Sequence, residues 1–251
     1  MDTRIGTCGW SFKDWRGSFY PPGTKDELAY YATQFDAIEI DSTWYRVPEA
    51  SVVDSWRRRV PEGFTFCPKM PGEITHDHLL VGADDVRDAF LSNISLLGDK
   101  LGPIVIQLSP KFKASEIYTL EGFLRELPSD FRYVVEFRNK SWMYTEDALG
   151  VLGALGMGVV IAHHPWYPRI ERITTDIAYI RLLGKRDVFP DFSTTHRAKD
   201  KALDKWAELL LGLVLMPGDA YAFINNQFEG HSPESARKLK RALGAQATTL
   251  F

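Results

Sequence analysis

The chain has 251 residues, 45% of them hydrophobic and 25% charged, a balance that suits one globular unit with a sizeable core. Its formal net charge of −3 argues against a generally basic nucleic-acid binder and leaves room only for a local positive cleft. Two cysteines, Cys8 and Cys67, are too few for a disulfide framework and lack zinc-type spacing. No apolar leader follows Met1, and the longest apolar run, Leu209 to Met216, is interrupted by Gly212 and too short to span a bilayer. A cytoplasmic protein without a membrane partner is expected.

In chain order, eight short apolar runs read as strands, starting at Arg4, Ala37, Gly63, Gly102, Tyr133, Gly158, Ile177 and Ala220. Helical periodicity fills most of the intervals. Thr24 to Phe35 opens with a capping-box pair, Thr24 and Glu27, and puts Leu28, Tyr31 and Phe35 on one face. Pro48 suits the first turn of a helix carrying Val52 and Trp56. Val86, Phe90, Ile94 and Leu97 form a stripe, as do Ile117, Leu120, Phe123, Leu124 and Leu127. Leu149 and Leu152 mark a shorter helix, Trp206, Leu209, Leu210 and Leu213 a longer one, and Ser232-Pro233 caps the last. Between His163 and Asp176 two prolines, Pro165 and Pro168, oppose a regular helix, so the sixth repeat reads as degenerate. The alternation predicts a single (β/α)8 TIM barrel spanning residues 1–251, with long loops over its C-terminal mouth. An open doubly wound sheet would need a Gly-rich fingerprint after the first strand, and GTCGW does not supply it.

The strand ends carry the chemistry. In the run from Phe131 to Trp142, Val134, Glu136 and Arg138 share one face, and Val135 and Phe137 share the other. The same change from apolar start to polar end gives Glu39 with Asp41, Cys67 with Lys69, Gln107 with Ser109, Tyr179 with Arg181, and Asn225 with Asn226. If Ile38/Ile40, Phe64/Phe66, Ile104/Ile106 and Val135/Phe137 face outward, the charged side chains point inward. Two carboxylates, Glu39 and Glu136, then meet three cations, Lys69, Arg138 and Arg181. Such a cluster supports anion binding with proton transfer. Glu39, Glu136 and Lys69 are the candidate catalytic residues, with either glutamate as base. Asp41, Gln107, Arg138, Arg181 and Asn225 are candidate substrate contacts. The competing reading is a buried salt-bridge network. Buried ion pairs stabilise less than packed apolar residues do, so several together favour function.

The loop from Gly9 to Pro22 interleaves aromatic rings with Lys13 and Arg16, and its Trp10 and Trp15 are candidate stacking partners for a ligand. For a metal, Glu39, Asp41, Glu136, His76, His163 and His164 offer donors without metal-specific spacing. Adjacent His163 and His164 point to opposite faces if extended, and the three nearby cations would repel a metal ion. Neither metal nor cofactor is expected.

The blocks GTCGWSFKDWRGSFYP, AIEIDSTWYR, FTFCPKMPGEITH, GPIVIQLSPKF, VVEFRNKSW, YIRLLG and AFINNQFEGHSPESA resemble, in order, the signature blocks of the YecE-like family of unknown function. The resemblance covers nearly the whole chain. It implies a TIM barrel of the broad group that includes endonuclease-four-like and xylose-isomerase-like enzymes, and it brings no settled activity. Three positions depart from it: Cys8 stands where a serine or another small residue is expected, Asp41 where asparagine is common, and Leu183 where histidine often precedes the glycine. The leading expectation is an enzyme (hydrolase, lyase or isomerase) doing acid–base chemistry on an anionic small molecule such as a phosphorylated sugar or nucleotide. The alternatives are a nucleic-acid-binding or phosphodiester-cleaving protein, and a non-catalytic ligand-binding barrel.

Overall fold

The computed structural model describes residues 2–214 and 218–250, so the end of the apolar run at Leu215 and Met216 lies outside the described residues. All eight predicted strands form: β1 (Asp2–Thr7), β2 (Ala37–Ile40), β3 (Thr65–Pro68), β4 (Ile104–Gln107), β5 (Tyr133–Glu136), β6 (Gly158–His163), β7 (Ile177–Leu182) and β8 (Asp219–Ile224). Every pairing among them is parallel. Six strands make a curled half-barrel sheet in the order β1-β8-β7-β6-β5-β4, and β2 pairs with β3. Single parallel bridges, Cys8 to Glu39 on one side and Phe66 to Leu101 and Lys69 to Val105 on the other, tie that pair to both neighbours.

The alternation of side chains sorts the core into an inside and an outside. Cys67, Val105, Val134, Val160, Tyr179, Tyr221 and Phe223 form one buried cluster within the curl of the sheet. Ile38, Ile40 and Phe66 join a second cluster, and Ile104, Ile106, Val135 and Phe137 a third, both packed against helices. Among the described residues the helices are α1 (Glu27–Tyr31), α2 (Ala50–Arg58), α3 (Asp84–Ile94), α4 (Ile117–Arg125), α5 (Glu146–Ala154), α6 (Asp200–Val214) and α7 (Ser232–Leu250). None separates β6 from β7, where Pro165 and Pro168 remove backbone donors.

Two local expectations change. α1 is capped by Asp26, whose Oδ1 accepts from the Ala29 amide at 2.9 Å, while the Thr24 hydroxyl turns back to the Pro21 carbonyl at 2.8 Å. Asp26 is the better cap because its carboxylate also pairs with Arg59 across to α2. In α2 the N-cap is Glu49, which leaves Pro48 outside the helix; Val53 and Trp56 are buried, and Val52 faces outward. At the end of β7, Gly184 admits no side chain, since a Cβ there would sit 1.6 Å from the Gln227 carbonyl oxygen. That close approach holds the loop after β7 against the loop after β8, at the end where the polar residues gather.

Candidate functional site

Arg181, on β7, is 2% exposed and sits at the centre of the polar end. Its Nη2 and Nε donate to Glu39 Oε1 at 2.6 and 3.1 Å, its Nη1 donates to Glu136, and its Nη2 also lies 3.4 Å from Asp41 Oδ1. Burial works against the guanidinium charge, but Glu136 and Glu39 outweigh it, so Arg181 holds its proton more tightly than a free arginine. Glu136 is fully buried and also accepts from Arg138 Nε at 2.6 Å, with Gln107 Nε2 at 3.4 Å. Burial raises its pKa; Arg138 and Arg181 override that and hold it well below the usual carboxylate range. The Tyr179 hydroxyl donates to Glu39 Oε2 at 2.8 Å, and burial, reinforced by Glu39, pushes that phenol up so that it remains a donor.

Towards solvent the network becomes a wall. Lys69 Nζ lies 3.3 Å from Asp41 Oδ1 and 5.2 Å from the centre of the Trp44 ring, and the Arg138 guanidinium lies 4.5 Å over Tyr167. Burial lowers the Lys69 pKa, Asp41 opposes the change, and Arg181 and Arg138 add to it; the net direction is down. Asp41 goes below its ordinary value, because Lys69 and Arg181 outweigh its burial. A cavity of about 310 Å³ opens here, walled by Lys69, His76, Gln107, Arg138 and Tyr167 among others. The Trp44 indole N–H beside it is buried without a hydrogen-bond partner, and Gly72 is required behind it, since a Cβ would fall 2.6 Å from the indole. A second cavity of about 560 Å³ adjoins through Asp41, Tyr45 and Arg186, and carries Cys8, Trp10, Phe12 and Asn225 on its wall.

The structure thus brings Glu39, Asp41, Lys69, Gln107, Glu136, Arg138 and Arg181 into one network, with Trp10 and Asn225 on the adjoining wall. Arg181 does not face the cavities; its nitrogens are occupied by carboxylates. Trp15 is corrected outright. It is fully buried, its Nε1 donates to Asn226 Oδ1 at 3.1 Å, and its ring packs 4.7 Å behind Phe12. The loop reaches the mouth through Trp10 and Phe12, and Trp15 anchors it from beneath. Arg186 and Tyr45 line both cavities and had no distinguishing signal in the sequence, because long loops place them. For a metal, Cys8 Sγ and oxygens of Glu39 and Asp41 lie within 4.8 Å of one another. Burial, Glu39 and Asp41 all push the Cys8 thiol up, and Arg181 already sits on both carboxylates, so these donors suit a cation poorly.

Three half-buried histidines at or beyond the strand ends give a pH prediction. Burial, then neighbouring cations, lowers His76, His163 and His164 each to about 4. In the unfolded chain the same rings titrate near about 6.5. Below that value the unfolded state binds more protons, so stability falls as pH drops from about 6.5 towards 4, by an amount that solvent screening limits. Melting temperatures across that window should decline, and imidazole proton resonances should move near pH 4. Rings titrating near about 6.5 in the folded protein would refute their burial beside cations.

The chain matches the family described as "Protein of unknown function DUF72" over residues 4–250. The UPF0759 protein YecE of Escherichia coli K12 is 37% identical over 112 residues, which cover 45% of this chain and 41% of YecE, less than half of that relative's length. The UPF0759 protein YunF of Bacillus subtilis is 24% identical, with 98% of this chain and 96% of YunF aligned. The crystal structure of a DUF72 family protein from Thermotoga maritima superposes with a TM-score of 0.84 at 26% identity, covering 97% of this chain and all of that one (100%).

Proposed function

This chain belongs to the DUF72 family of proteins of unknown function, and we propose that it is an enzyme doing acid–base chemistry on an anionic small molecule at the mouth between Lys69 and Arg138. The observation that carries this reading is Lys69 itself. It is 8% exposed, paired with Asp41, and set on a cavity wall whose other charges are mainly cationic. A lysine whose pKa is lowered by burial exchanges a proton near neutral pH far more readily than a surface lysine. Arg138 and the exposed Arg186 supply the anion contacts, and Gln107 and Asn225 orient neutral groups. Glu136, held ionised by two arginines, is a weak base; with Glu39 it fixes Arg181, and through it the geometry of Asp41 and Arg138.

The reading also takes the eight strands as one closed (β/α)8 barrel in a single domain, a view supported by the bridges from Cys8 to Glu39 and from Lys69 to Val105. Among the described residues no helix is long and apolar enough to cross a membrane, and a cytoplasmic setting is part of the proposal. A nucleic-acid partner is the second reading, favoured by Tyr45, which is 75% exposed beside Arg186.

The test is a titration of lysines carrying ¹³C-methyl labels. The resonance absent from Lys69→Met should titrate below the bulk lysines and shift when a sugar phosphate is added. Titration with the bulk, and no response to any anion, would discard the proposal. An oligonucleotide that produces the shift with a steep salt dependence would favour the second reading.

A further inference from the structure

We propose a second anion site, separate from the mouth, in the cavity between the loops that follow β6, β7 and β8, fitted to an organic monophosphate with a flat, apolar body. The cavity holds about 380 Å³, within the range of small-molecule sites. Lys185, Arg197 and Lys199 line it, and no carboxylate does. Among the described residues Lys185 and Arg197 have no ion-pair partner. Glu229, whose charge acts on Lys199 from behind the wall, is fully buried and held by the Lys199 backbone amide and the Lys238 ammonium. With no carboxylate on the wall the cations repel one another, as Arg197 does Lys199, and an anion relieves that repulsion. A metal ion is excluded by the same charges, and a neutral sugar would leave them uncompensated.

The rest of the wall sets the other half of the ligand. Val188, Phe189 and Phe228 give it an apolar side, and the Lys199 ammonium sits 4.2 Å from the centre of the Phe228 ring. A phosphate at the cations would therefore have its organic body against aromatic carbon, where a planar group packs best. The cavity is partitioned from the Lys69 cavity by stacked rings: His164 on this wall lies 4.0 Å and 14° from Tyr167 on the other. Gln227 borders both this cavity and the one beside Trp10, and its carbonyl is the atom that Gly184 must be glycine to approach.

Calorimetric titration of the full chain with adenosine monophosphate, ribose 5-phosphate and adenosine tests the assignment. The monophosphate should bind more tightly than either fragment. Arg197→Met, at an exposed position that leaves the core untouched, should weaken it roughly tenfold to a hundredfold, and Lys199→Met likewise. Phe189→Ala should weaken adenosine monophosphate more than ribose 5-phosphate. The titrations are repeated in a Lys69→Met background, which removes the lysine of the mouth; the order of affinities and the losses on Arg197→Met and Phe189→Ala should persist there, which separates this site from the mouth. The proposal is overturned if, in that background, adenosine monophosphate does not bind, Arg197→Met spares its binding, or ribose 5-phosphate binds equally well.

Discussion

Arg181→Met is expected to destabilise the fold by about 3–5 kcal/mol, because it leaves two fully buried carboxylates without their shared cation. For a chain of this size that corresponds to a fall of roughly 6–20 °C in melting temperature. The loss should be partly reversed by adding Glu39→Gln and Glu136→Gln, since neutral amides need no counter-charge. The sign with pH follows from the same groups. Glu136 and Asp41 are held below their ordinary values, so their contribution is complete above the usual carboxylate range and disappears as pH falls through the folded values. In Arg181→Met that acid limb should move to higher pH. A variant that melts within a degree or two of the parent would show that the carboxylates find other partners, and the network would lose its central element.

How far this centre could be read from sequence depends on the physics that places each residue. Strand alternation is a two-residue rule, and it turned Glu39, Glu136 and Arg181 inward along with Cys67 and Val134. The outward set, Ile38/Ile40 and Val135/Phe137, is found against the helices as the same rule requires. β5 ends at Glu136, yet Arg138 two residues on still reaches back to it at 2.6 Å, so the rule survived a little past the strand. It could not say that Arg181 would be enclosed by carboxylates, because saturation depends on three chain-distant partners. Loops were less legible still. Trp15 and Trp10 have the same composition around them, but only tertiary contact with Asn226 and Phe12 decides that one is buried and the other lines a cavity. Arg186 and Tyr167 acquire their places in the same way, from loop paths that no periodicity encodes. The displaced helix cap at Asp26 is a smaller instance, set by Arg59 from the next helix.

Arg138→Met should separate function from scaffolding at the mouth. The arginine side chain is 13% exposed, donates to Glu136 and stacks over Tyr167. Methionine keeps much of the stem and removes the charge. Glu136 would still hold Arg181 and Gln107, so it is not stranded, and the stability loss should be that of one charge-assisted hydrogen bond, about 1.5–3 kcal/mol. If Arg138 also grips a ligand anion, affinity for a sugar phosphate should drop roughly tenfold to a hundredfold. The measurement belongs in an Arg197→Met background, so that the second cavity does not mask the change. A pure scaffold predicts the reverse pattern: a stability loss comparable to that of Arg181→Met, with no anion affinity in the parent to lose. Because Glu136 keeps one arginine in either variant, whereas Glu39 loses its arginine only in Arg181→Met, a much smaller loss in Arg138→Met indicates that Arg138 is not needed to neutralise the carboxylates. If it is not, a buried cation facing a cavity lined by Lys69 and Gln107 is left with a ligand as its reason for being there.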